Sequence, residues 1–271
     1  MNTYKTLEVS IDNHIATVTF NRPHKANSLT TQAWHDLKAV FEGLDEIDDV
    51  RVIVLNGNGK HFCGGIDLSV LMGIRERTKS NCEGRIRENV RKMVFELQAP
   101  INAIEACSKP VIAAIHGGCI GAGVDIVCAC DMRYVTHSGY FTIKEIDMGM
   151  VADLGTLQRM PKLIGDAMVR ELAYTGRKMY GEEAKSIGFV NKSSETREEM
   201  MEEVMKVAAL IASKSPLSIR GTKEVIKYSR EHSIADGLNY MATWNAAMIL
   251  SNDLNAAFMA SMQKKKPEFQ N

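Results

Sequence analysis

Apolar and polar residues alternate in "YKTLEVSID" and again in "HIATVTFNRP". That period of two predicts a pair of strands around a turn at Asp12-Asn13. The period then lengthens. In "TTQAWHDLKAVFEGLDEID", opened by Thr30, residues Trp34, Leu37, Val40, Phe41 and Leu44 fall on one face of a helix. "VRVIVLNGNG" and "KPVIAAIHGG" are unbroken apolar runs that end in glycine, and each predicts a buried strand. "KHFCGGIDLSVLMG" reads as a loop passing into a helix, and residues 77–107 as mainly helical. "DMRYVTHSGYFTIKE" predicts two more strands with a turn at Ser138-Gly139. Beyond about residue 155 helical spacing dominates. "GEEAKSIGFVNK" gives a helix, a glycine stop and a short strand. Helices follow near 196–213, 216–230, 234–249 and 251–264, with breaks at Ser215-Pro216 and Asn252-Asp253. The pattern predicts an α/β unit over 1–195 and a helical region over 196–271.

Composition narrows the class of protein. The 271 residues are 45% hydrophobic and 24% charged, enough to bury a sizeable core. Lys+Arg and Asp+Glu stand at 33 each, so no global basic field points to nucleic acid or to a membrane surface. The locally basic "RERTKSNCEGRIRENVRK" reads as a solvated helical face. The most apolar run, 110–130, holds His116, Asp125 and four glycines, which makes a poor membrane span. Six cysteines include no C-x-x-C pair. Most lie in apolar segments, where they read as small hydrophobes in a reducing compartment, and no metal site is expected. "MNTYKTLEVSID" has neither an apolar signal core nor an Arg-rich transit pattern, and "KKKPEFQN" is not a peroxisomal tail; the expected location is cytoplasmic.

Candidate chemistry lies in acids placed among apolar residues. "KEIDMGMVADLG" sets Glu145, Asp147 and Asp153 among Ile146, Met148, Met150, Val151 and Leu154. "IHGGCIGAGVDIVCAC" isolates Asp125 in the same way. Apolar surroundings raise carboxyl pKa values and suit acid–base work. Structural alternatives stand beside this: Asp125 or Asp153 as a helix cap, Glu145 in a strand-end ion pair. Two glycine loops, "NGNGKHFCGGIDL" and "IHGGCIGAGVDI", each lie between a buried strand and a helix. Taken singly they read as tight turns. Taken together, their free N–H groups could stabilise an oxyanion. Neither loop completes a phosphate-binding motif. The combination suggests enolate chemistry next to a carbonyl.

"IATVTFNRPHKANSL", "VRVIVLNGNGKHFCGGIDL", "KPVIAAIHGGCIGAGVDIVCACDMRY" and "GTLQRMPKLIG" resemble the crotonase, or enoyl-CoA hydratase/isomerase, superfamily over roughly residues 5–269. The resemblance implies a crotonase-like spiral of ββα turns followed by helices that mediate trimer contacts. It implies an acyl-CoA substrate, no separate cofactor, and a homotrimer or dimer of trimers. By position it implies oxyanion donors at the backbone N–H of Ile66 and of Ala122, the latter where glycine is more frequent; the Ala122 methyl is expected to crowd the acyl chain. CoA contacts would come from Gly64, Gly65 and Ile66, and from Lys265 and Phe269 in "QKKKPEF", with Lys264 to Lys266 near phosphate.

Hydratases resemble this chain in carrying acids at the positions of Asp125 and Glu145. The third acid, Asp153, and the segment "HSIADGLNYMATWNAAMIL" resemble the Δ3,5-Δ2,4-dienoyl-CoA isomerase branch of the superfamily. That branch moves the double bonds of a 3,5-dienoyl thioester to the 2,4 positions through a dienolate, in unsaturated fatty acid β-oxidation. The reaction needs one proton acceptor and one proton donor, at C2 and C6. Asp153 is assigned to C2 and Glu145 to C6, with the reverse order open; Asp125 would tune its neighbours or hold a water. Asp147 reads as structural, His116 as packed, and Arg133 and Arg159 as partners of buried carboxylates. Met72, Met148 and Met150 are candidate acyl-pocket residues, though also ordinary core types. Rival readings are a 2-enoyl-CoA hydratase using Asp125 and Glu145, and a non-catalytic acyl-CoA-binding protein.

Overall fold

In a computed structural model that describes residues 4–271, the first two strands, β1 (Leu7–Asp12) and β2 (Ile15–Phe20), pair antiparallel. Residues 1–3 of the expected first unit lie outside the described residues. The turn sits at Asn13 and His14, both with positive φ, one residue later than the sequence pattern placed it. Two successive left-handed residues match the twist of a two-residue hairpin loop. Helix α1 (Thr31–Asp45) starts at Thr30, whose hydroxyl accepts the N–H of Ala33. It buries Trp34, Leu37, Val40, Phe41 and Leu44, each worth roughly 1.5–3 kcal/mol of apolar burial.

The chain continues through β3 (Val52–Gly57), α2 (Leu68–Thr78), α3 (Glu83–Ala106), β4 (Val111–Ile115), β5 (Gly118–Ile120), α4 (Ala122–Ala129), β6 (Met132–Thr136) and β7 (Tyr140–Thr142). A 3₁₀ turn spans Lys144–Met148. Then come α5 (Thr156–Arg159), α6 (Asp166–Thr175), β8 (Met179–Tyr180), α7 (Gly181–Ser186) and β9 (Lys192–Ser194). The larger sheet runs β1-β2-β3-β4-β6-β9 and is parallel from β2 onward; a smaller sheet runs β5-β7-β8. The pattern along the chain did not reveal β5 and β8. Strands of three and two residues are too short to show a period, and β5 lies inside a glycine loop.

Four helices complete the chain: α8 (Arg197–Ala212), α9 (Pro216–Ser229), α10 (Ile234–Met248) and α11 (Asn252–Met262). Each begins on a hydroxyl side chain, Thr196, Ser215, Ser233 or Ser251, that accepts a backbone N–H of its first turn. Although it falls in the helical region, α8 is part of the sheet's packing. Its Met200, Val204, Ala208 and Ala212 cover Ile15, Val52, Val54, Ile112, Ala114 and Tyr134. The main core, with α1 and α3, lies on the opposite face of the sheet. By contrast, α10, α11 and the turn between them leave Ile234, Leu238, Leu250, Phe258 and Met262 exposed. Among the described residues no helix is long and apolar enough to cross a membrane.

Candidate active site

Parallel strands β3 and β4 both run into glycine loops at their carboxyl ends, the edge where open α/β sheets place their sites. The first loop is fixed from below. Asn27, buried and with positive φ, donates its amide to the carbonyls of Asn58 and His61 at 2.9 and 2.8 Å. The sequence reading gave Asn27 no role, because one Asn in a polar turn carries no periodic signal. Gly64 donates to the Ala26 carbonyl at 2.7 Å. Ile66 pairs with Leu29 in a parallel bridge, in which Gly65 C=O accepts from Leu29 and Asp67 N–H donates to Leu29. Both bonds come from the neighbours of Ile66, so its own N–H faces away from Leu29.

Asp67 locks the end of this loop and caps α2. Its carboxylate accepts from Ser69, Ser28 and Arg22. Those bonds, the Ser69 ones first, hold its pKa well below the usual carboxylate range.

The second loop meets the first at Gly65. A Cβ there would stand 2.8 Å from the Ile120 carbonyl oxygen and 3.7 Å from the Ala122 nitrogen. Gly65, at φ +84°, thus allows the Ile66 and Ala122 amides to come from adjoining backbone. Ala122 is the first residue of α4, where an N–H has no partner within the helix. Its methyl group is buried in the main core.

Asp125 lies one turn into α4 and is fully buried. Its Oδ1 accepts the Thr156 N–H at 2.6 Å, while Oδ2 is buried with no hydrogen-bond partner among the described residues. Desolvation, relieved in part by the Thr156 bond, pushes its pKa up to about 6. Glu145, in the 3₁₀ turn, is half-buried, and its Oε2 is likewise buried without a partner. Desolvation and then the Asp125 charge push Glu145 up to about 7. Asp153 is exposed as a residue, yet desolvation raises its pKa as well. Its charge raises both Asp125 and Glu145. The three acids, 28 residues apart at the extremes, share one electrostatic neighbourhood.

Other expectations divide. Lys265 and Phe269 do not reach the glycine loops within the chain. The Phe269 carbonyl accepts from Arg51, which precedes β3, so the tail lies at the opposite end of a strand roughly 17 Å long. Lys264, Lys265 and Lys266 are exposed. Met72, Met148 and Met150 are exposed rather than core. His116 is packed, with Nε2 2.8 Å from the Gly59 carbonyl. Asp147 pairs with Lys144 at the surface. Arg159 does bind a carboxylate, Glu105, at 2.7 Å. Arg133 does not: its guanidinium donates to the carbonyls of Val127, Cys130 and Phe189. Two of those close α4, where the helix dipole favours a cation. Five of the six cysteines are buried; desolvation pushes Cys63, Cys107, Cys128 and Cys130 up to about 12 and raises Cys119 well above its usual value, which makes them poor nucleophiles.

The sequence profile of the enoyl-CoA hydratase/isomerase family matches residues 10–271, and the chain belongs to that family. Within it, the chain is 47% identical to a Delta(3,5)-Delta(2,4)-dienoyl-CoA isomerase named as peroxisomal from Arabidopsis thaliana, over 99% of this chain and 98% of that protein. It is 41% identical to the mitochondrial protein of the same name from Homo sapiens, over 98% of this chain and 81% of that one. Neither name matches the cytoplasmic expectation. Among solved structures, an enoyl-CoA hydratase from Bacillus anthracis superposes with a TM-score of 0.88 at 29% identity, over 98% of this chain and 99% of that one.

Proposed function

We propose that the protein isomerises 3,5-dienoyl-CoA thioesters to their 2,4-dienoyl isomers. The observation that carries this reading is the third acid. Asp153 shares a field with Asp125 and Glu145 beside two glycine loops, in a chain closely similar to proteins named for that reaction. A hydratase needs only the pair.

The thioester oxygen sits between the N–H groups of Ile66 and Ala122, which take up the charge as the enolate forms. Gly64, Gly65 and Ile66 line the CoA approach. Asp153, the more exposed acid, is ionised and removes a C2 proton, already acidified by the thioester and the adjacent diene. Charge spreads along the dienolate to C6. Glu145, held near pH 7, delivers a proton there. The two roles are thereby separated by environment. Asp125, anchored by the Thr156 amide, keeps Glu145 protonated through its charge. The step is a proton relay between substrate and side chains, so CoA enters only as part of the substrate.

We assign Lys265 and Phe269 to CoA on a neighbouring copy, and the exposed apolar faces of α10 and α11 to assembly as a trimer or dimer of trimers. Residues 1–195 would then hold the acids, and 196–271 would serve assembly and CoA contact, apart from α8, which covers the sheet.

The test supplies the purified protein with 3,5-octadienoyl-CoA and, separately, 2-octenoyl-CoA. Conjugated-diene absorbance should rise with the first, and hydration of the second should be slight. Hydration of the second with no isomerisation of the first would refute the reading.

A further inference from the structure

The segment Asp153–Arg159 supplies one acid, Asp153, and the amide that binds a second, Thr156 N–H to Asp125. On one side it borders an open cavity lined by Gln98, Asn102, Glu105, Gly155 and Arg159. Close packing therefore does not fix it from that side, and polar contacts must. Those contacts all come from α3.

Gln98 Nε2 donates to the Asp153 carbonyl at 2.6 Å. Asn102 Oδ1 accepts from Arg159 Nη2 at 2.8 Å. Glu105 Oε2 accepts from Arg159 Nε and Nη2 at 3.0 and 2.7 Å. The spacing 98, 102, 105 is one helical face. Beside it the apolar face of α3 buries Met93, Leu97, Ile101 and Ile104, so the polar stripe is held by a well-packed helix. Arg159 in turn lies where a side chain at Gly155 would be: a Cβ on Gly155 would collide with Nη1. Gly155, at φ +129°, leaves room for the guanidinium directly behind Thr156. Arg159 Nη2 thus joins the stripe to the turn, and Thr156 joins the turn to Asp125.

We infer that Gln98, Asn102 and Glu105 are positioning residues for the reaction: acting through Arg159 and the Asp153 backbone, they set the distance between the acids contributed by two separate segments. The inference rests on the isomerase reading above. None of the three is assigned a contact with substrate. A further consequence is electrostatic. Arg159 also lowers Asp125, so loosening the stripe moves the titration of the site as well as its geometry.

The experiment uses the full-length protein and two variants. Gln98→Leu keeps size and removes the donor; Glu105→Gln keeps an acceptor and removes the charge. Circular dichroism checks that each is folded, and the second variant stands if the first is not. With 3,5-octadienoyl-CoA, kcat should fall about tenfold with KM within about twofold, as a displacement well under 1 Å would cause, and the pH limbs of kcat should shift. Hydrogen–deuterium exchange at residues 153–159 should rise about tenfold. Unchanged exchange and unchanged kcat would overturn the inference. Faster exchange with wild-type kcat and pH profile would also overturn it, leaving the stripe merely structural. If the wild-type protein does not isomerise the substrate, the isomerase reading fails by itself, and exchange alone then decides whether the stripe holds the segment.

Discussion

A side-chain carbon on Gly121 would stand 3.0 Å from Oε1 of Glu145. The glycine turn that opens α4 and the acid assigned to C6 therefore constrain each other. Gly121 has φ +52° and ψ −118°, a conformation that residues with a Cβ rarely adopt. Gly121→Ala should cost about 1–3 kcal/mol of stability from backbone strain alone. It should also lower kcat with 3,5-octadienoyl-CoA by displacing Glu145. Thermal denaturation and steady-state kinetics measure the two effects separately.

Asp153→Asn should reduce isomerisation by about 10²–10⁴-fold, the usual worth of a positioned base. Its carbonyl bond to Gln98 is a backbone contact and survives the change. Binding of a saturated acyl-CoA, followed by calorimetry, should therefore stay within about twofold of wild type. Normal isomerisation by this variant would remove Asp153 from the chemistry.

Protonated Glu145 is the donor in this account. With its pKa raised to about 7, the protonated fraction declines as pH rises through that value. The kcat profile should lose activity on its basic side near or above pH 7, since bound substrate adds desolvation. The acidic side should report ionisation of Asp153. A profile flat from pH 6 to 9 would contradict the assignment.

Asp125 links the same groups to stability. Its folded pKa of about 6 lies above the unfolded value of 3.8, so the folded chain holds the proton more tightly. Stability is present in full below the unfolded value and is lost as pH rises through 6. Asp125→Asn keeps an acceptor for the Thr156 N–H and removes the buried charge. It should stabilise the protein by about 3 kcal/mol at pH 8 and by little below about pH 3. Denaturant titrations at the two pH values give the difference. The acid is retained at a cost, as expected of a group kept for chemistry.

Arg133 tests a correction. It binds three carbonyls and no carboxylate, so Arg133→Met strands the last turn of α4 and the Phe189 carbonyl. A loss of about 2–4 kcal/mol is expected, from charge-assisted bonds left unmade. Chemical denaturation reads it.

Much of this architecture was legible in the residue pattern. Periods of two and of three to four, with Thr30 opening α1 and the break at Ser215-Pro216, mark the long elements because each period reflects burial of one face. Asp125 and Glu145 stood out for a related reason: acids in apolar runs break a pattern. What the pattern did not reveal is carried by backbone and by contacts between distant segments. The Thr156 amide has no side-chain signature. Asn27 and Gln98 act through bonds to carbonyls more than 30 residues away in the chain, such as those of Asn58 and Asp153. The partner of Arg133 was misjudged because a lone buried cation suggests a carboxylate, while a helix C-terminus can serve as well. The place of Lys265 and Phe269 depends on how the tail folds, and "QKKKPEF" alone contains no information on that.

Solvent deuterium separates the two proton transfers and tests the central claim directly. Glu145→Gln should still exchange C2 hydrogens of 3,5-octadienoyl-CoA with D₂O, because Asp153 remains to remove them, while forming almost no conjugated diene. Asp153→Asn should do neither. In the wild type, deuterium should appear at C6 of the 2,4-dienoyl product. C2 exchange that survives loss of Asp153 but not loss of Glu145, or diene formation at the wild-type rate in either variant, would contradict the account.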